Sequence, residues 1–199
     1  MKPVPTGFYM KIIGGKYKGK NFYMPEGIRP TQDIVRKALF DLLGRDLSGM
    51  TFLDLFAGSG SVGLEAVSRG AVQVTFVERV FRSCEIIREN LILLSAGADE
   101  GGRVPCEVMS GDAFAAVKLL ARKGRKFDII FADPPYGREL AKKILKTLGA
   151  YDIVSANCVV VIQHEKREIL PEAQGNLLRT EQRKYGSTVL SIYHPSPIN

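Results

Sequence analysis

From Thr51 onward the chain alternates short unbroken apolar runs with amphipathic stretches, and this alternation limits its possible folds more than any other feature. The apolar runs are Thr51–Phe56, Gln73–Glu78, Cys106–Ser110, Phe127–Ala132 and Cys158–Gln163, the last holding Val159, Val160, Val161 and Ile162 in a row. Strands that are apolar on both faces belong inside a parallel sheet covered by helices. Between them, Ser61–Arg69, Phe81–Leu94, Ala113–Ala121 and Glu139–Leu148 carry apolar residues at helical spacing, and Gly70 closes the first. On Phe81–Leu94, Ile86, Ile87, Asn90 and Leu94 fall on neighbouring faces. The chain ends differently: Leu178–Lys184 and Thr188–Tyr193 flank Tyr185-Gly186-Ser187, which predicts an antiparallel hairpin. The fold class is therefore α/β, an open sheet whose ligands bind outside the carboxyl ends of its strands.

Residues 10–24 predict a small β-hairpin turning near Lys18-Gly19. Thr31 then predicts an N-cap, with Ile34, Val35, Ala38, Leu39 and Leu42 at helical spacing and Gly44 as the stop. Charge separates this front part from the rest. The chain carries +7 formally, yet residues 1–50 hold nine basic and four acidic side chains, and residues 51–199 are close to neutral. Met1–Pro25 contains Lys2, Lys11, Lys16, Lys18 and Lys20 and no acid, interleaved with Phe8, Tyr9, Tyr17, Phe22 and Tyr23. Such a mixture suits a phosphate backbone with bases to stack on, with Lys16, Lys18 and Lys20 as the candidate contacts. It equally describes a solvated basic arm.

Exclusions are simple. The hydrophobic share of 45% is too high for a disordered chain. No apolar run reaches the roughly 18 residues of a membrane span, and no signal peptide opens the chain. The three cysteines, Cys84, Cys106 and Cys158, lie far apart and match neither a disulfide framework nor a metal site, which points to a reducing cytoplasm. A Pro-Cys pair carries the nucleophile of some cytosine methyltransferases, but Pro105-Cys106 opens the third strand, so Cys106 reads as a buried strand residue. Cys84 and Cys158 read as structural. His164 and His194 have no triad or metal partner in sequence and read as surface or hairpin residues.

The strand-to-helix turn Asp54-Leu55-Phe56-Ala57-Gly58-Ser59-Gly60-Ser61-Val62-Gly63 spells GxGxxG. Asp54 decides which ligand such a loop takes. A carboxylate there repels a pyrophosphate and favours a ligand with ammonium and sulfonium groups, as in S-adenosylmethionine. Phe56, Ala57, Gly58 and Gly60 are the loop positions beside it. Glu78 ends the second strand 24 residues after Asp54, where it can accept both ribose hydroxyls. Asp112, after the third strand, either reaches the adenine amine or simply caps the following helix.

Asp133-Pro134-Pro135-Tyr136 follows the fourth strand at the same edge. Two prolines cannot extend a ladder and they fix a rigid turn. An exocyclic amine on a nucleobase is a poor nucleophile, because its lone pair is delocalised into the ring. The Asp133 carboxylate and the Pro134 carbonyl can each accept one amine hydrogen, pulling the nitrogen towards tetrahedral geometry. Tyr136 offers a face on which an extruded base can stack. The contribution of these residues would be mainly positioning.

With these residues in view, the chain resembles the bacterial RsmD family of 16S rRNA guanine-N2 methyltransferases from about Met10 to Tyr193. The likeness is carried by Lys11–Gly19, Arg29-Pro30-Thr31, Val35–Phe40, Leu53–Gly60, Gly63–Ala66, Phe76–Glu78 and Asp133–Tyr136. It implies a Rossmann-like class I methyltransferase sheet of seven strands and S-adenosylmethionine as donor. It also implies a guanine of 16S rRNA as target, presented within the assembled small subunit. Independently of the resemblance, the sequence predicts no metal and no membrane partner, and a monomer is the default. By motif position, Asp54, Gly58, Gly60 and Glu78 would hold the donor and Asp133, Pro134, Pro135 and Tyr136 the guanine amine, with Arg29, Thr31 and Arg36 on the RNA side. The expected organisation is an RNA-binding extension over residues 1–48 and a methyltransferase domain over 49–199, Met1–Tyr9 preceding the usual family start. Alternatives are methylation of DNA adenine or protein glutamine, a non-catalytic RNA-binding assembly factor, and an NAD-dependent oxidoreductase. The last is opposed by the charge of Asp54.

Overall fold

The computed structural model describes residues 9–24, 33–95, 105–137 and 139–196. Two short strands, β1 (Tyr9–Lys11) and β2 (Asn21–Tyr23), pair antiparallel and are followed by helix α1 (Asp33–Leu43). The alternating part then runs β3 (Thr51–Leu55), α2 (Ser61–Ser68), β4 (Gln73–Glu78), α3 (Phe81–Ser95), β5 (Cys106–Ser110), α4 (Ala113–Arg122), β6 (Phe127–Ala132), α5 (Leu140–Ala150) and β7 (Val154–Glu165). Three strands finish it: β8 (Ala173–Gln174), β9 (Leu177–Tyr185) and β10 (Thr188–Pro195).

One sheet holds eight strands in the order β5-β4-β3-β6-β7-β10-β9-β8. The first five are parallel and the remaining pairings antiparallel. Seven of these strands are the expected ones. The eighth, β8, is a two-residue edge on Leu177 and Leu178, too short to mark the sequence. Because β4 and β6 lie on opposite sides of β3, the winding reverses at β3, and a crevice opens at the carboxyl ends of β3 and β6. Strand β7 begins at Val154, four residues before the apolar run. Val154 pairs with Phe127, then the ladder slips so that Ile129 faces Val159, and Ser155 Oγ donates to Asp128 Oδ1 (2.8 Å) across the irregularity.

Strand residues alternate between two faces. Phe52, Phe76, Phe131, Val161 and Leu190 pack one core with α1 and α2, and Leu53, Val77, Ile130, Val160 and Ile162 pack the other with α4 and α5. The N-terminal hairpin belongs to the first of these, since Ile12, Tyr17, Phe22 and Met24 are buried in it. Its polar backbone groups are bolted to two helices. Ile13 N donates to Glu65 Oε2 (2.9 Å), Lys16 N to Ser68 O (2.7 Å) and Tyr17 N to Ser68 Oγ (2.9 Å). Asn90 takes both backbone groups of Tyr23, at 2.7 and 2.9 Å.

His164 is not a surface residue. It is buried within the β7–β10 ladder, opposite Val189 and one pair from the ladder's end. A carbonyl can only accept, so His164 Nδ1–H donates to Glu165 O (2.9 Å) and Nε2 accepts from Ser191 Oγ (2.8 Å). Burial pushes its pKa down, in keeping with this neutral tautomer. Cys84 and Cys158 are buried as expected, burial pushing the Cys158 thiol up to about 12, while Cys106 is only half-buried. Among the described residues no helix is long and apolar enough to cross a membrane, and no cluster of three His, Cys, Asp or Glu could hold a metal ion.

Candidate active site

A cavity of about 660 Å³ opens at the carboxyl ends of the parallel strands. Its floor is the turn from β3 into α2. Phe56 sits there at φ 60°, a left-handed conformation that costs a non-glycine residue about 1–3 kcal/mol, and its ring meets Phe114 edge-on at 6.0 Å. Gly60 opens α2 at φ 75°, and a Cβ on it would stand 2.8 Å from Ile87 Cγ1. A Cβ on Gly63 would stand 2.2 Å from the Phe76 ring. Both glycines let α2 press against its neighbours, so the motif serves helix packing as well as a ligand.

Asp54 points into the cavity from β3 and is 1% exposed. Its carboxylate accepts from Gly63 N (2.9 Å). Burial, reinforced by the charges of Asp133 and Glu78, raises its pKa to about 8 despite that hydrogen bond. Glu78 uses one oxygen to accept from Gly58 N and the other from Val80 N, both at 2.8 Å. Each oxygen keeps a further lone pair. Asp112 caps α4, its Oδ1 accepting from Phe114 N and Ala115 N at 3.0 Å, and it lines the cavity as well.

The opposite wall is Asp133–Tyr136. Gln163 Nε2 donates to Asp133 Oδ2 (3.0 Å), and the Tyr136 hydroxyl shares a 3.0 Å hydrogen bond with Thr188 Oγ1. Pro134 is buried, whereas Pro135 and Tyr136 are exposed. Phe56, Ala57, Gly58 and Asp112 join Asp54, Glu78 and these four residues around one space, which Gly60 does not line. Gln163 and Thr188 escaped the sequence reading. Gln163 carried no local signal: it flanks Asp133 only through the register that pairs Val161 with Phe131. Thr188 had none, since its place depends on the β10 register.

The RNA-side residues do not gather here. Arg36 is fully buried, its Nη2 donating to Lys11 O (2.7 Å) and Asp33 Oδ1 (2.9 Å), with burial pulling its pKa down. It ties α1 to the hairpin and cannot meet RNA at the surface, which corrects its assignment. Arg29 and Thr31 lie outside the described residues. Lys16, Lys18 and Lys20 are exposed, and the ammonium groups of Lys16 and Lys20 lie 5.7 and 5.0 Å from the Tyr17 ring centre. Their turn docks on Ser68, at the end of α2 remote from the cavity.

A parallel sheet with reversed C-terminal strands, a glycine loop and an acid on each of the central strand ends define a Rossmann-like methyltransferase fold. The solved structure of the Escherichia coli protein yhhF matches it with a TM-score of 0.82 at 29% identity, covering 96% of this chain and all of that one. Residues 10–194 match the family model described as Conserved hypothetical protein 95. The Bacillus subtilis protein YlbH is 34% identical over 92% of this chain and 98% of its own length. The Escherichia coli ribosomal RNA small subunit methyltransferase D is 31% identical over 92% of this chain and 89% of its own. The chain belongs to this family, the RsmD methyltransferases.

Proposed function

We propose that the protein transfers a methyl group from S-adenosylmethionine to the exocyclic N2 amine of a guanine in 16S rRNA, within the small ribosomal subunit. The observation that carries this reading is the meeting of two walls in one cavity: Asp54 and Glu78 around the glycine loop, and Asp133–Tyr136 across from them. The name of the Escherichia coli relative supports the substrate class.

The residues present fit the donor. Asp54, stripped of water and held near neutrality, regains a favourable charge beside an ammonium or sulfonium group. Glu78, pinned by two backbone amides, has lone pairs left for two hydroxyls. S-adenosylmethionine supplies an electrophilic methyl group bonded to sulfur.

The chain's own groups prepare the amine. The Asp133 carboxylate, its plane fixed by Gln163, accepts one amine hydrogen and the Pro134 carbonyl the other. Tyr136, its hydroxyl tethered to Thr188, presents its ring to the base. Rigid placement of this kind supplies several kcal/mol of the barrier, and Asp133 stands ready for the proton that the methylated amine sheds. The lysines at 16, 18 and 20 bind phosphates away from the cavity, and Arg29 and Thr31 keep the RNA-binding role that the family motif implies.

The test is methyl transfer from labelled donor onto unmethylated small subunits, naked 16S rRNA and DNA in parallel. The expected product is N2-methylguanosine in small-subunit RNA. Label found in adenine, in DNA or in protein would overturn the reading.

A further inference from the structure

We infer that Gln163 is the residue that reads the target base as guanine, its Oε1 accepting the ring N1–H beside the amine that Asp133 holds. The inference rests on the proposed reaction. Gln163 stands on β7, 95% removed from solvent, and lines the cavity. Its amide orientation follows from chemistry, because a carboxylate cannot donate. Nε2 must therefore face Asp133 Oδ2, at 3.0 Å, which turns Oε1 away from it. That oxygen is buried and finds no donor among the described residues. A buried acceptor with no donor is uncommon in a folded protein and marks a place where one is to be supplied.

Gln163 and Asp133 are neighbours, joined by their hydrogen bond and by the register that pairs Val161 with Phe131, so a base that reaches Asp133 also comes beside Gln163. Guanine offers N1–H and the N2 amine on adjacent atoms of one edge. With the amine at Asp133, N1–H falls next to it, where a turn of the buried Gln163 carboxamide would let Oε1 accept it. Adenine has a lone pair at N1, which would oppose the lone pairs of Oε1. The pair Asp133 and Gln163 thus divides the work: the carboxylate takes the amine and the carboxamide reads its neighbour. Sites built to hydrogen-bond a substrate group reject analogues without it far more strongly than apolar pockets reject a missing methylene.

2-Aminopurine separates these roles, because it keeps the 2-amine and lacks the N1 hydrogen. The wild-type protein is given small-subunit RNA substrates carrying guanine or 2-aminopurine at the methylated position, and kcat/KM is measured for each. Wild type is expected to prefer guanine by roughly 100-fold. In Gln163→Leu both rates fall through loss of the Asp133 clamp, and the preference shrinks to within about threefold. Gln163→Glu, which keeps an acceptor while placing a second acid beside Asp133, should retain the preference at a reduced rate. A preference unchanged in Gln163→Leu overturns the assignment, as does a wild-type protein that takes both bases equally. Absence of any guanine methylation by wild type would instead sink the proposed reaction itself.

Discussion

Around the cavity at the N-terminal end of α2 lie a carboxylate raised to about 8, an amide oxygen without a donor among the described residues and a phenylalanine in a left-handed turn. At the C-terminal end of the same helix, the polar side chains of the helix itself are matched. Ser68 Oγ donates to Gly14 O (2.6 Å) and accepts from Tyr17 N, and Glu65 holds Ile13 N with one oxygen and Arg69 with the other. Even there Arg36 leaves two guanidinium nitrogens without partners among the described residues. About 12 Å of helix separates the two ends. The difference teaches where this fold tolerates unfavourable electrostatics: beside the cavity, where a bound ligand can relieve them, and much less where the chain only needs to be fastened.

The comparison is broken most severely at Asp133. Asp133→Ala should lower methyl transfer about a thousandfold or more, since amine alignment is lost, while donor affinity stays within a few-fold. Single-turnover rates and calorimetric titration of the donor check the two halves. Residual turnover within tenfold of wild type would remove the positioning role.

Asp54 gives the next largest effect, and its sign is set by its raised pKa. Between the ordinary carboxyl value of 3.8 and about 8 the folded protein holds a proton that the unfolded chain releases, so stability declines as pH climbs through that interval. Above about 8 the full cost of the buried charge is present. Asp54→Asn has no such titration. Its ligand-free melting temperature should exceed that of wild type at pH 8, and the gap should close towards pH 4. The same substitution should weaken donor binding about 10- to 100-fold, because the neutral amide cannot pair with a cation. Wild type should release a proton on binding the donor below pH 8, read as a dependence of the binding enthalpy on buffer ionisation heat. Parallel stability curves and no proton release would show that Asp54 is already charged in the empty site.

Local signals made much of this legible in the sequence. The bounds of β4, β5 and β6 follow directly from apolar runs that change character sharply at Glu78, Ser110 and Ala132. Asp54, Glu78 and Asp133 were visible because each lies within one residue of a strand's end beside a turn, and turns carry composition of their own. What stayed hidden depends on pairing between distant segments. His164 is buried only because β10 covers it, and β7 starts early only because Val154 finds Phe127 beyond a slipped register. Arg36 looks like a surface cation on an amphipathic helix, yet the hairpin folds over it and takes its charge to Lys11 O. A basic residue type predicts exposure well until another segment of the same chain covers it.

The smallest effect tests whether the two ends of α2 are independent. Replacing Lys16, Lys18 and Lys20 together by Ala should leave kcat unchanged, because their turn sits on Ser68 and touches nothing in the cavity. If the three meet phosphates, the logarithmic dependence of RNA affinity on salt should flatten by about two units, with KM rising at physiological ionic strength. A competing role is purely local: cations near a helix C-terminus stabilise it by about 0.3–1 kcal/mol each, and the turn already caps α2 through Lys16 N. That role predicts a lower melting temperature with the salt slope intact. Changing the same three lysines to Arg supplies the charge-preserving control, since both roles survive a conserved charge. An arm that binds RNA then keeps its slope in the Arg variant and loses it in the Ala variant. Should kcat drop with the Ala variant while the melting temperature holds, the remote end of α2 is coupled to the cavity and the division between the two ends fails.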